Sequence, residues 1–376
     1  MTQAKDNIRV LFLFAHLHKG GMQRAVSNIS LALPDNFEQY VGFFGTENPG
    51  FIYKATMHNF CFPGSESIGF LGKLSSAWNR IKAIRTFVTQ ENIDVVVSFG
   101  ESANVYSVLS RHSARTIISS RVALKESLAV ITDYSWLYTL LVPALYRRAD
   151  NVVAVSEDLG RQMRKIIGVP QRVSVIPNLY HLEDIRERSK HSLPENMAFL
   201  EEKNFILNVG SLCYQKGQDD LLTIFSQVHR NFDDLYLVIL GRGELEEDLK
   251  QQTITLGISD RVIFVGFDKN PYRFMSRASV FVFTSRFEGF PNALVEAMAC
   301  GAPVVSFDCP TGPSEILGNS EFGVLIADRS TSQASEAICE LIEKQSSNMQ
   351  VSQSGLRRAD YYSEEQVIKK WVAVLG

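Results

Sequence analysis

Two doubly wound α/β domains are the architecture this sequence predicts, and three observations predict it. The chain has 376 residues, enough for two domains of roughly 150 residues that each bury a core. Short runs rich in Val, Ile and Phe recur along it, near-continuous rather than alternating, as strands buried on both faces require. Helical patterns lie between most of these runs, and alternation of strand and helix implies parallel sheets.

In the first half, strands are expected near Ile8–Phe14, Gln39–Phe44, Ile93–Phe99, Arg115–Ser119, Asn151–Val155 and Arg172–Ile176. In the second half they are expected near Phe205–Val209, Leu235–Leu240, Arg261–Val265, Ser279–Thr284, Ala302–Phe307 and Phe322–Ile326. Met22–Leu33 carries Ala25, Val26, Ile29 and Leu33 at helical spacing. Ser363–Leu375 sets Val367, Ile368, Trp371, Val374 and Leu375 on or near one helical face. Between Asn178 and Lys203 charge is dense, Pro194 interrupts, and no convincing strand appears. The boundary is expected there, giving domains of residues 1–180 and 181–376, with the last helix free to pack back on the first domain.

Composition narrows the class. Hydrophobic residues at 45% and charged residues at 21% are ordinary for a globular protein and exclude a disordered or collagen-like chain. A formal net charge of −3 excludes the strong basicity of most nucleic-acid binders. That total conceals an asymmetry: residues 1–195 hold 22 Lys+Arg and 17 Asp+Glu, net +5, while the remainder holds 16 and 24, net −8. A basic half suggests an anionic partner. The polar start Met1–Asn7 does not resemble a secretory signal, and no 18 apolar residues run uninterrupted. Five cysteines, odd in number and without a C-x-x-C pair, fit a reduced, cytoplasmic compartment, with Cys300 and Cys309 as small buried fillers.

The most informative stretch is Val280–Phe307, where a strand ends at Thr284, a loop follows, and a helix begins near Pro291. Proline suits the first turn, and the free N–H groups of Asn292, Ala293, Leu294 and Val295 can bind an anion such as a diphosphate. Glu288 stands before that helix and Glu296 eight residues on, inside it. A bare pair of glutamates at that spacing carries little weight, since charged helix residues usually face solvent. The whole string carries more. Gly241-Arg242-Gly243 is no dinucleotide fingerprint, because Glu246 stands where a third glycine belongs. The chain contains no Asp-x-Asp, and His16-x-His18 has no further ligands nearby, so no metal is expected.

In order along the chain, Gly20-Gly21-Met22-Gln23-Arg24, Val155-Ser156-Glu157, Ile176-Pro177-Asn178, Val209-Gly210-Ser211-Leu212 with Lys216-Gly217, and Glu288-Gly289-Phe290-Pro291-Asn292-Ala293-Leu294-Val295-Glu296 resemble the retaining glycosyltransferase family 4. The resemblance implies the GT-B fold, two Rossmann-like domains facing a central cleft, without a cofactor. Asp308-Cys309-Pro310-Thr311-Gly312-Pro313-Ser314-Glu315 resembles the branch that builds bacterial surface or lipid-linked glycans. The implied reaction moves a sugar from a nucleotide diphosphate to an acceptor hydroxyl as an α-linkage. UDP-N-acetylhexosamine or UDP-hexose is the expected donor, with GDP-mannose behind it. A glycan or polyprenyl-diphosphate-linked acceptor is expected, and no nucleic acid.

By the same resemblance, Glu288 holds sugar hydroxyls, Glu296 the ribose, and Lys216 the departing diphosphate, with Gly289, Phe290, Asn292, Ala293 and Leu294 lining the donor. Gly20 and Gly21 form either a close approach for a phosphate or donor sugar, or a plain tight turn. The family usually has arginine after the glycine at 210; here Ser211 stands there, and either Arg242 supplies the charge or Lys216 and the helix end suffice. Phe267 either contacts the nucleobase or packs in a core. Where members often carry a His or acidic residue on the donor sugar, this chain has Ile118-Ser119-Ser120-Arg121. Arg121 then binds an acceptor phosphate or forms a surface ion pair, and His18 is a candidate for the acceptor.

Leu71–Val88 holds Lys73, Arg80, Lys82 and Arg85 with no acidic residue, beside Leu71, Leu74, Trp78, Ile81, Ile84 and Val88. Tyr134–Arg148 combines Trp136, Tyr138, Leu140, Leu141, Leu145 and Tyr146 with Arg147-Arg148. Each is either an ordinary domain helix or a basic amphipathic helix lying peripherally on the inner, anionic face of a membrane. Two other functions fit the sequence. A hydrolysing nucleotide-sugar epimerase of similar fold would convert donor without acceptor. A degenerate subunit of a glycan-assembly complex would bind donor without transfer.

Overall fold

The computed structural model describes residues 7–16, 20–45, 50–61, 70–110, 112–121 and 142–376. The chain divides into two compact units, Met1–Leu179 with Glu364–Gly376, and Tyr180–Ser363. The first holds seven strands: β1 (Ile8–Phe14), β2 (Phe37–Phe43), β3 (Thr56–Asn59), β4 (Val95–Phe99), β5 (Arg115–Ser120), β6 (Asn151–Ala154) and β7 (Val173–Val175). All pair in parallel, in the order β3-β2-β1-β4-β5-β6-β7. The second holds β8 (Phe205–Val209), β9 (Tyr236–Leu240), β10 (Val262–Gly266), β11 (Val280–Phe283), β12 (Val304–Phe307) and β13 (Val324–Ile326), parallel, in the order β10-β9-β8-β11-β12-β13.

All twelve expected strands are present, with ends within two residues of those read from the sequence. Strand β3 was not foreseen. Its sequence Thr-Met-His-Asn sits on the sheet edge, mostly exposed, and offers no apolar run to signal it. The Asn178–Lys203 stretch holds a helix, Leu182–Ser189, and a 3₁₀ run, Glu195–Glu202, and no strand.

Local chemistry explains the elements. The helix Gly21–Ala32 buries Ala25, Val26 and Ile29, with Leu33 buried just past its end, each contributing up to about 1.5–3 kcal/mol for the larger side chains. The helix Glu157–Ile167 starts where the Ser156 hydroxyl accepts from Leu159 N at 3.3 Å, carries Glu157 and Asp158 in its first turn, and ends at Gly168 in the left-handed conformation. The Val155-Ser156-Glu157 signature is thus a strand end followed by a capped helix start.

The helix Glu364–Leu375 belongs to the first unit. Val367, Trp371 and Leu375 are buried in the same core as β1 and β4, with the Trp371 and Phe99 rings 6.3 Å apart. Arg115 at the start of β5 donates to the last carbonyls, Val374 O at 3.0 Å and Leu375 O at 3.3 Å, where a cation also suits the helix dipole.

Both sheets reverse their strand order, at β1/β4 and at β8/β11. Connections leaving adjacent strands there run in opposite directions and leave a crevice at the carboxyl ends, the usual ligand position in such sheets.

Trp371→Ala removes a fully buried indole. It is expected to cost the first unit about 3–5 kcal/mol, seen as an earlier urea transition of that unit's signal.

Candidate active site

Lys216 and Glu288 come from the two loops that leave the second sheet at its reversal. After β8 the chain makes a 3₁₀ turn, Tyr214–Lys216, and enters the helix Gln218–Val228 through Gly217. Gly217 has φ +64°, and a Cβ there would lie 2.3 Å from Thr284 O, so only glycine fits. This close approach seats the turn on the end of β11, where Thr284 Oγ1 donates to Lys216 O at 3.1 Å. The Lys216 stem passes over Gly210, and its Nζ lies 2.5 Å from Glu288 Oε1. The Lys216 side chain is 24% exposed and that of Glu288 8%.

Two sets of contacts hold the Glu288 loop. On one side Arg286 N donates to Gln215 O at 2.7 Å, and Gln215 Nε2 returns a bond to Phe287 O at 2.9 Å. The Arg286 guanidinium donates to Tyr214 O (2.7 Å), Asp219 (2.6 Å) and Asp220 (3.3 Å), and stacks on the Tyr214 ring. Burial is the largest single influence on Asp219 and opposes its ionisation, but the Arg286 hydrogen bond and charge, with backbone N–H donors of Asp219 and Asp220, together hold the carboxyl below its ordinary range. On the other side Glu288 N donates to Pro310 O at 3.3 Å, and the Thr311 hydroxyl donates to Glu288 O. Burial pushes the neighbouring Cys309 thiol up to about 12, leaving it a neutral filler.

The helix Asn292–Ala299 begins just after Pro291, and Leu294 N donates to Pro291 O at 3.1 Å, which overturns the expectation that this N–H is free for an anion. Asn292 Oδ1 accepts from the Tyr180 hydroxyl at 2.5 Å. Gly289, Phe290, Leu294 and Glu296 are buried and Ala293 is half-buried, with the Phe290 ring edge-on to Tyr362 at 5.5 Å. Ser211 is exposed, and its carbonyl accepts from Gln218 Nε2 at 3.0 Å. Arg242 is also exposed. Its Nε lies 3.4 Å from where a Cβ on Gly266 would sit, over the end of β10. The Arg242 carbonyl accepts from Leu212 N at 3.0 Å, which sets its backbone beside the Gly210 loop that follows β8. Phe267 is 63% exposed, which overturns the expectation that it packs in a core.

In the first unit Gly20 caps the helix Gly21–Ala32 without a side chain, and Gln23 Nε2 donates back to His16 O at 2.9 Å. Arg121 donates to Asn178 Oδ1 and lies over the Phe99 ring at 5.3 Å. His18, and residues 134–141 of the second basic aromatic stretch, lie outside the described residues. Glu101, not singled out from the sequence, follows β4 and accepts from the Tyr146 hydroxyl; burial raises its carboxyl. Among the described residues no group of three or more His, Cys, Asp or Glu could hold a metal ion.

Two family models cover most of the chain: Glycosyltransferase Family 4 over residues 19–184 and Glycosyl transferases group 1 over residues 189–358. The chain belongs to the glycosyltransferases of these families. It is 29% identical over 323 residues to a Campylobacter jejuni protein, N-acetylgalactosamine-N,N'-diacetylbacillosaminyl-diphospho-undecaprenol 4-alpha-N-acetylgalactosaminyltransferase, an alignment covering 84% of this chain and 85% of that one. An uncharacterized glycosyltransferase of Methanocaldococcus jannaschii is 32% identical, but over 49% of this chain and only 46% of its own length. The fold is that of GT-B glycosyltransferases: the crystal structure of Anabaena HepE in complex with UDP superposes with a TM-score of 0.79 at 20% identity, covering 98% of this chain and 99% of that one.

Gly217→Ala forces a Cβ into the Thr284 carbonyl and is expected to cost about 2 kcal/mol or more, read as a lower melting temperature.

Proposed function

We propose that this protein is a retaining glycosyltransferase that takes the sugar of a UDP-N-acetylhexosamine or UDP-hexose and joins it in α-linkage to a hydroxyl of a lipid-linked or surface glycan. The observation that carries this reading is the Lys216–Glu288 pair at the β8/β11 reversal, 2.5 Å apart and largely removed from water. A diphosphate gives Lys216 an anion, and sugar hydroxyls give the Glu288 carboxylate donors, so a nucleotide sugar satisfies both groups together. Asn292 and Ala293 at the start of the following helix add backbone dipoles on the diphosphate side, and Glu296 takes the ribose. Gly20, Gly21, Gly210 and Ser211 are assigned backbone approaches to the donor. His18 and Arg121 are assigned to the acceptor.

In the proposed step the bond between the anomeric carbon and the leaving phosphate oxygen breaks. The acceptor oxygen attacks from the same face, and its proton passes to the departing phosphate. No side-chain base is required. Lys216 and the helix start stabilise negative charge as it develops on the diphosphate, the kind of term worth about 10²–10³ in rate per group. The N-acetylgalactosamine transfer named for the Campylobacter relative supports a UDP-N-acetylhexosamine donor and a polyprenyl-diphosphate acceptor.

Glu288→Gln and Lys216→Ala are each expected to stay folded and lose about 10²-fold or more in turnover, measured as UDP release with lipid-linked oligosaccharide acceptors. Near-normal rates in either variant count against this site. Conversion of donor without acceptor identifies an epimerase, and donor binding without transfer a non-catalytic subunit.

The acceptor proposed here resides at a membrane, and the helix Phe70–Gln90 offers a surface for one. Ile84, Phe87 and Val88 are buried, while Trp78 (67% exposed), Lys82 and Arg85 line the outward face, and no Asp or Glu occurs between residues 70 and 90. An interfacial aromatic flanked by cations fits an anionic lipid surface. Among the described residues no helix is long and apolar enough to cross a membrane. At low salt the protein is expected to float with phosphatidylglycerol vesicles, and a Trp78→Ala, Lys82→Glu, Arg85→Glu variant to lose that binding; equal flotation of both refutes the surface.

A further inference from the structure

The geometry points to Thr311 as a positioning residue for Glu288, fixing the backbone from which the carboxylate reaches Lys216. This rests on the donor-site reading above and extends it to a residue that touches no substrate in that reading. Thr311 has φ +64°, in the left-handed region that β-branched side chains avoid. It is 6% exposed, and its hydroxyl donates to Glu288 O. The residues on either side of it grip the same loop. Pro310 O accepts from Glu288 N at 3.3 Å, and Gly312, at φ +107°, lies so close to Pro291 that a Cβ would fall 2.4 Å from the ring Cδ.

This one segment therefore holds both the N–H and the C=O of Glu288, while Gln215 Nε2 holds the Phe287 carbonyl of the preceding peptide. Within the 310–312 segment the Thr311 hydroxyl is the side-chain part of the hold, and so the part a substitution can remove. Stability alone argues for another residue: glycine adopts this φ without strain, and asparagine nearly so. What threonine offers and glycine lacks is the hydroxyl. Non-glycine residues held in this region persist only where the surroundings over-determine them, and they concentrate where geometry serves function.

Three substitutions separate the hydroxyl from the backbone conformation. Thr311→Val keeps the branched shape and the strain but loses the donor; Thr311→Ser keeps the donor; Thr311→Gly relieves the strain and loses the donor. The measurement is calorimetric binding of UDP and of UDP-N-acetylgalactosamine, UDP-N-acetylglucosamine, UDP-glucose and UDP-galactose to the full chain, with melting temperatures alongside. The preferred sugar nucleotide is expected to bind Thr311→Val and Thr311→Gly about fivefold or more weakly, while UDP, lacking the sugar, binds unchanged. Thr311→Ser is expected to stay within about twofold of wild type, and Thr311→Gly to melt no lower than Thr311→Val. Unchanged sugar-nucleotide affinity in Thr311→Val overturns the inference, as does a loss of equal size for UDP. Glu288→Gln is the control. If it also binds the sugar nucleotide normally, or if wild type prefers none of the four to UDP, the donor-site reading fails, and this inference with it. If Glu288→Gln loses the preference and Thr311→Val keeps it, only the role of Thr311 fails.

Discussion

The contact between the Lys216 ammonium and the Glu288 carboxylate is the constraint on which the organisation of the second unit turns. Two opposite charges taken largely out of water gain in Coulomb attraction about what they lose in hydration, so such a pair is weak evidence of stability. It persists only when the surrounding backbone holds both partners in place. That backbone comes from two loops leaving strands β8 and β11, which are neighbours in the sheet at a spacing of about 4.8 Å. The strand order reverses there, so the two chains diverge and leave the space above the pair uncovered by either connection.

The bracing of these loops is unequal in kind. On the Tyr214 side it is electrostatic and many-membered. Arg286 joins a carbonyl, two carboxylates and an aromatic face, and Arg329 adds a second cation on Asp220. A guanidinium serves this purpose because its planar fork presents several donors in fixed directions. On the Cys309 side the bracing is smaller and uncharged, two hydrogen bonds through a proline carbonyl and one hydroxyl, and a glycine pressed against a proline ring. Loss of one contact in the first set leaves others to share the load. In the second set the hold on the Glu288 carbonyl comes from the Thr311 hydroxyl.

Much of the fold was legible because its strands are apolar on both faces, which writes them into the sequence as unbroken Val, Ile and Phe runs. Thr56–Asn59 escaped for the converse reason: an edge strand that is mostly exposed has no burial to record. At the site, Pro291 marked the helix start at Asn292, and Lys216 and Glu288 could be picked out by the family resemblance of their motifs, since a lone loop lysine and two glutamates at that spacing carry little weight. Arg286 and Thr311 could not. Arginine in a polar loop ordinarily faces solvent, and its pairing with Asp219 and Asp220 joins segments some 67 residues apart. The Thr311 conformation has no local signature except the glycine that follows it. For Arg242 the sequence left the choice of partner open, and its position over β10 depends on a strand order that no single loop encodes.

The return of the last helix to the first unit has a bearing on biosynthesis. Residues 180–363 form a continuous unit that can complete its core as soon as it leaves the ribosome. The earlier-made unit cannot. Its central layer keeps a place for Trp371 and Leu375 beside Phe99 and Phe12, and these arrive nearly two hundred residues after the rest. Until then the part of that sheet face that the helix Gly21–Ala32 leaves open has no cover, so the N-terminal half waits on the last helix to finish its core.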